Sequence, residues 1–316
     1  MPSITTHKIF ALDVLNKYNI NVDRNLYIAF AQSFDNLIYY KYLHPIMGKK
    51  VYKLNKKGHR DNTQEYLINI IKIIKKYHYE KDAKVLSYLY GSIAHFVMDT
   101  TFHPYIFYKT GVYRKKDRAS KKYYLKHTEI EAMLNAYFYN KKEKTSYHNY
   151  KIHKFDFPKI KFNQSLKNTI KENYKTIYNF ANLDKIYLKS YNLGRIGFFL
   201  AIEDKYGIKK CFYKLLDKIF NTKLEYSSYF VKIINPVYLN LERNKWFHPL
   251  TNKEYNYSVD DLYEICIKKT INIFKNVDLV LNDKKDISEL YKVIPNISYV
   301  TGADCKNKAK LKYFEY

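Results

Sequence analysis

Apolar residues recur at helical spacing along nearly the whole chain. Ile9, Leu12, Leu15 and Tyr18 form a first stripe, with Thr5 or Thr6 as its N-cap. The pattern predicts a second helical segment over 24–42, ended by Pro45 and Gly48, and an amphipathic helix over 63–77. A largely buried helix is expected over 84–102, followed by helices over 123–139, 164–183, 209–220, 226–241 and 259–277. Ser258 and Asp261 open the last of these with the spacing of a capping box. Strand alternation is weak and no internal repeat is evident. The expectation is an all-α fold in one domain over 1–316, in which 1–140 carries the candidate chemistry and 155–316 buttresses it. Residues 113–122 read as a basic connector, and residues 141–161, with Pro158, as the link between the halves.

Composition narrows the class. With 47% hydrophobic and 27% charged residues the chain is neither disordered nor collagen-like, and only 8 Gly and 7 Pro leave little punctuation for a turn-rich β sandwich. The longest apolar run, 196–202, falls far short of the ~18 residues that suggest a membrane span. No basic stretch followed by an apolar one opens the sequence, so no secretory signal is seen. Cys211, Cys266 and Cys305 are odd in number and lack CxxC spacing. A reducing, cytoplasmic location is the expectation. The formal charge of +26 favours anionic partners, whether nucleic acid, acidic lipid or phosphate ester, or simply keeps a surface rich in the 36 Tyr soluble.

The sharpest chemical signal is His95-x-x-x-Asp99-x-x-x-His103-Pro104. At i, i+4 and i+8 the three polar side chains share one helix face amid apolar or small neighbours, and a buried imidazole or carboxylate needs a partner. At ~1.5 Å rise per residue His95 and His103 stand about 12 Å apart, too far to share one zinc. Two ions with Asp99 between them fit better, and Pro104, which disfavours helical geometry at His103, is expected to swing that ring towards them. His127 and Glu131 repeat the i, i+4 spacing; the pair holds a zinc or makes an ordinary helix contact. His7, Asp35 and His59 are single upstream candidates, each with an ordinary reading as a capped or packed residue. An all-nitrogen-and-oxygen donor set suits catalytic rather than structural zinc. His44, His78, His148, His153 and His248 attract no role. Trp246-Phe247-His248-Pro249 echoes Thr101-Phe102-His103-Pro104 without periodicity.

This order of ligands, His, Asp, His, then His-xxx-Asp-xxx-His-Pro and His-xxx-Glu, resembles the zinc-dependent phospholipase C family. That family shares its all-α fold and trinuclear zinc cluster with the fungal single-strand-specific nucleases. Trp246-Phe247-His248-Pro249, the helix from Ser258 and Ser298-Tyr299-Val300-Thr301-Gly302 resemble the tail of intracellular-type bacterial members. Nothing resembles the C-terminal β sandwich of the secreted toxins. The resemblance implies one zinc on Asp35, His59, His95 and Asp99, a more open second on His103, His127 and Glu131, and a third on His7 and Asp99. It also implies Asp35 as general base for the attacking water. Family members complete the third site with the amine of an N-terminal Trp; this chain begins Met1-Pro2, so two or three ions are expected. The activity implied is phospholipid cleavage on the glycerol side of the phosphate, with peripheral membrane contact. A phosphodiesterase or nuclease on single-stranded nucleic acid uses the same cluster, with Tyr105, Phe107 and Tyr108 as stacking platforms. A helical scaffold with a vestigial cluster is the non-enzymatic alternative.

Overall fold

The computed structural model describes residues 4–114, 116–144, 146–147, 150–220, 226–230 and 234–315. Met1, Pro2 and His148 lie outside the described residues. The fold is all-α. In chain order the helices are α1 (Ile4–Lys17), α2 (Arg24–Phe30), a 3₁₀ helix (Ser33–Tyr42), α3 (Pro45–Gly58), α4 (Thr63–Tyr77), α5 (Ala83–Thr110) and α6 (Lys121–Glu143). The short α7 (Ile152–Phe155), α8 (Gln164–Tyr178), α9 (Leu183–Ala201), α10 (Ile208–Ile219), α11 (Val259–Leu281) and α12 (Leu290–Val293) follow. Strands β1 (Trp246–Phe247) and β2 (Glu254–Tyr255) form a small antiparallel ribbon in which Trp246 faces Tyr255.

Helix α5 is the axis of the molecule. Asp82 caps it by accepting from the N–H groups of Lys84 and Val85, and nearly every residue from Val85 to Ile106 is buried. It packs against α1, α2, α4, α6, α8 and α11. The close crossing with α2 requires Gly91, where a Cβ would lie 2.7 Å from the Phe30 Cβ. One continuous apolar cluster runs from Ile4 to Tyr299. At about 1.5–3 kcal/mol per large side chain removed from water, that cluster dominates the stability. Much of the tyrosine lies inside it: Tyr66, Tyr88 and Tyr174 are fully buried and join hydroxyls, 2.8 Å and 3.2 Å from Tyr66. The Tyr excess is therefore a core feature as well as a surface one.

Several elements differ from expectation. Thr5 and Thr6 lie inside α1 instead of capping it; Thr5 Oγ1 donates to Asp156 and Thr6 Oγ1 to Asn135, so both serve the core. The segment 24–42 is not one helix: α2 stops at Phe30, and Ser33, with φ 31°, turns the chain into the 3₁₀ helix. The segment ends at Tyr42, ahead of Pro45 as expected, but Pro45 also begins a helix that the pattern did not predict. It occupies the first turn, where no N–H is needed, and the ring of His44 accepts from the Met47 N–H. Pro104 does not end α5 either; the helix continues to Thr110. The 164–183 prediction ends early at Tyr178, and α9 follows it. The helix expected over 226–241 is replaced, among the described residues, by 3₁₀ turns at Tyr226–Tyr229 and Pro236–Tyr238. The link 141–161 is exposed at 141–144 but is anchored in the core by Tyr150, Ile152, Asp156 and Phe157, which are buried. The capping box at Ser258 and Asp261 forms as its spacing implied.

Candidate metal centre

Groups from three elements meet at the middle of α5. His7 from α1, Asp35 from the 3₁₀ helix, and His95 and Asp99 from α5 each present a donor atom, and these atoms all lie within 4.8 Å of one another. His7 Nε2 is 3.2 Å from Asp99 Oδ1, and His95 Nε2 is 3.5 Å from Asp99 Oδ2 and 3.9 Å from Asp35 Oδ2. One turn towards the C-terminus of α5, His103 meets His127 and Glu131 of α6 in a second group, again within 4.8 Å. His127 Nε2 lies 2.9 Å from Glu131 Oε1, and the His103 and His127 rings lie 5.9 Å apart and nearly parallel. Asp99 Oδ2 is 3.9 Å from His103 Nδ1 and so stands between the groups.

All eight sequence candidates thus come together, with one difference in grouping. His7, not His59, is in mutual reach of Asp35, His95 and Asp99. His59 sits beside them: its Nε2 is 3.0 Å from Asp35 Oδ1 and 4.0 Å from Asp99 Oδ2. Its Nδ1–H donates to the Asn55 carbonyl at 2.8 Å, which aims Nε2 inward. His103 is aimed in the same way, its Nδ1–H donating to the Tyr299 carbonyl at 2.6 Å. Neither acceptor was apparent as a site residue from the sequence. Tyr299 lies in the 298–302 motif, is fully buried, and packs its ring 5.3 Å from those of His59 and His95. Its own N–H donates to the His59 carbonyl at 2.9 Å, so the C-terminal tail clasps both histidines.

The polar atoms at the centre lack partners that would justify their burial. His7, His95 and Asp99 are at most 1% exposed. Among the described residues both ring nitrogens of His7 and His95 and both Asp99 oxygens have no hydrogen-bond partner; the 3.2 Å His7–Asp99 approach lacks hydrogen-bond alignment. Each such atom costs on the order of 1–3 kcal/mol left alone. Donors about 2.1 Å from a common zinc stand about 3.4 Å apart in a tetrahedron, which matches the 3.2–3.9 Å spacings. The residues therefore fit divalent metal.

Their protonation fits as well. Burial pushes the His95 imidazole down to about 4 and that of His103 down to about 3, and holds His127 well below its usual value. Burial works against the Asp99 anion, yet His95, His103 and His7 outweigh it and hold the carboxyl well below the usual range. At neutral pH His95, His103 and His127 are thus neutral and Asp99 is ionised, the states a cation needs. His59 is the exception: burial opposes its charge, but Asp35, Asp99 and the Asn55 carbonyl raise its pKa, so it keeps its proton more readily.

The second group opens to solvent. His59, His103, His127 and Glu131 line one end of a cavity of about 620 Å³, whose walls include Tyr39, Phe107, Ile196 and Phe198, with Lys41, Lys56 and Arg60 at its polar positions. The described residues of the basic connector over 113–122 do not line it. Of the proposed stacking rings only Phe107 lines it, and Tyr105 is fully buried. The described unassigned histidines have structural jobs: His44 caps α3, His78 ends α4 in a left-handed conformation, His153 pairs with Glu203 at 2.7 Å, and His248 accepts from a turn N–H.

No curated protein and no solved structure matches the chain. The model of the family described as zinc dependent phospholipase C matches residues 6–180, more than half of the sequence and the whole stretch from His7 to Glu131. With its ligand order and its buried imidazole–carboxylate centre, this chain belongs to the zinc dependent phospholipase C family.

Proposed function

We propose that the protein is a zinc-dependent phosphodiester hydrolase that cleaves a phospholipid between phosphate and glycerol. The observation that carries this is the continuity between the partnerless His7, His95 and Asp99 cluster, the His103, His127 and Glu131 group, and a largely apolar cavity. His103, His127 and Glu131 would hold the solvent-facing ion, and Asp35, His95, Asp99 and His7, with His59 beside them, the buried ion or ions. Zinc bound there supplies Lewis acidity towards a phosphoryl oxygen and makes water a nucleophile near pH ~7.

The chain's own residues supply the rest. Asp35 accepts the proton of the attacking water, and its bond to His59 fixes its orientation. As the water oxygen joins phosphorus, the bond from phosphorus to the glycerol oxygen breaks, and that oxygen takes a proton to give diacylglycerol and a phosphorylated headgroup. Lys41, Lys56 and Arg60 attract the phosphate-bearing end. Ile38, Ile196, Phe198 and Val300 wall the cavity for the acyl-glycerol part and exclude water. A single-strand nuclease would want a basic track with stacking rings along it; the apolar wall favours lipid. A purely structural cluster would have its buried polar atoms paired, as those of His7, His95 and Asp99 are not.

The test is metal content together with turnover. The purified chain is expected to carry two or three zinc ions and to hydrolyse short-chain phosphatidylcholine far faster than single-stranded DNA. Asp99→Ala and His127→Ala should lose zinc and at least ~10²-fold of the activity. A well-folded protein without metal that gains no activity on adding zinc overturns the proposal, and DNA turnover exceeding lipid turnover overturns the substrate.

A further inference from the structure

Helix α10 is notable for what it leaves uncovered. Ile208, Phe212, Leu215 and Ile219 recur at i, i+4, i+7 and i+11, a single apolar stripe at helical pitch. An amphipathic helix in a folded chain turns such a stripe inward. Here none of the described residues of α10 is buried, and these four side chains are 69%, 54%, 56% and 64% exposed. The end of α9 repeats the pattern, with Ile196, Phe199 and Leu200 all more than half exposed. The two elements are tied together: Lys209 Nζ donates to the Phe199 and Glu203 carbonyls, and the Lys210 N–H donates to Asp204.

This surface is continuous with the cavity. Ile196 lines it, and on another side of it Tyr42 also lines it, next to the exposed Leu43 and Ile46. Most of the large apolar side chains that stand exposed among the described residues fall in these two segments. Charge then selects the occupant. Around the stripe α10 carries Lys209, Lys210, Lys214 and Lys218 against Asp217. At about 100° per residue, Lys209 and Lys218 lie to either side of the stripe. An apolar stripe flanked by lysine, Lys209 on one side and Lys214 and Lys218 on the other, is the pattern of a helix that lies in a lipid interface. A second copy of this chain, itself of charge +26, would set lysine against lysine. An anionic bilayer complements both parts of the surface.

We propose that α10 and the end of α9 dock the protein on an anionic lipid bilayer, sinking the apolar stripe below the headgroups and turning the cavity mouth towards the membrane. The inference rests on the hydrolase reading only for the use of that orientation. The docking itself rests on the exposed surface.

Co-sedimentation of the full chain with vesicles of equal parts phosphatidylglycerol and phosphatidylcholine tests it. The chain should bind these vesicles several-fold better than vesicles of phosphatidylcholine alone, and less well at high salt. Phe212→Ser with Leu215→Ser should weaken binding at least ~10-fold, because two large side chains leave the lipid. Lys214→Glu with Lys218→Glu should abolish the preference for anionic vesicles. Both pairs are on the surface, so thermal unfolding and turnover of monomeric short-chain lipid should match the wild type. Unchanged vesicle binding in the first variant overturns the proposal, as does a wild type that ignores vesicles. So does a wild-type dimer that the same substitutions dissociate. A chain that docks but hydrolyses neither monomeric nor vesicular lipid leaves docking standing and overturns the hydrolase reading instead.

Discussion

Asp99 and Asp156 are both completely buried, and their surroundings push them in opposite directions. Imidazoles draw Asp99 down, whereas at Asp156 desolvation prevails over Lys8, 3.8 Å away, and over the hydroxyls of Thr5 and Tyr150, lifting its carboxyl to about 6. Between pH ~4 and ~6 folded Asp156 therefore holds a proton that the unfolded chain has released. Its contribution to stability is present below the unfolded pKa and declines as pH rises to about 6, by on the order of 3 kcal/mol. Urea unfolding at pH 4 to 7 should show the wild type losing that amount relative to Asp156→Asn; parallel curves for the two proteins would contradict it. The Asp156 shift could not be read from the sequence, because it depends on Lys8 and Thr5 far away along the chain, whereas two of the imidazoles that act on Asp99 are its own helix neighbours. What was legible is local. His95, Asp99 and His103, and likewise His127 and Glu131, share helix faces through spacing alone. The entry of His7 rather than His59 into the closest group, and the role of the Tyr299 carbonyl, are set by tertiary contacts that no spacing encodes.

At the scale of elements, α5 and the tail form a device around Pro104. Proline lacks the N–H that would bond the Thr100 carbonyl, and the helix nonetheless runs on. The tail comes closest at that point: Gly302, with φ 62°, leaves room so tight that a Cβ would lie 2.6 Å from the Thr100 oxygen and 2.8 Å from Pro104 Cγ. Gly302→Ala should destabilise the protein by about 1–3 kcal/mol and displace the neighbouring Tyr299, loosening zinc by roughly 10-fold or more through His103. Gly207→Ala is the control, since its φ is 76° but nothing lies within 4 Å. It should carry a comparable backbone strain and leave zinc affinity unchanged. Equal zinc affinity in both variants would refute the coupling. Periodicity found α4, α10 and α11 because each has a repeating apolar face and clear ends. It missed α3 because the residue that blocks a helix interior is well suited to its first turn, so Pro45 both follows one element and opens the next. It overran at 226–241, where apolar content is high but the described residues form 3₁₀ turns, with Leu239 buried just after the second.

On the scale of the whole molecule, the centre is where folding and chemistry meet. Helices α1, α5 and α6, the 3₁₀ helix and the C-terminal tail all send groups to one place, and without cations that place holds buried polar atoms with no partners. Binding of metal to the folded state alone then stabilises every element at once, by about 4 kcal/mol when free zinc is 1,000 times its dissociation constant. Removing zinc with a chelator should lower the unfolding temperature of the wild type by several degrees or more. Added zinc should restore it in proportion to the logarithm of its concentration. His95→Ala removes one buried partnerless ring from the metal-free state, so the variant should be less sensitive to the chelator rather than merely less stable. The sign of that difference separates a metal site from an ordinary packed histidine, for which truncation lowers stability equally with and without chelator. A wild type whose melting temperature is indifferent to both chelator and zinc would mean that the convergence of these five segments serves packing alone.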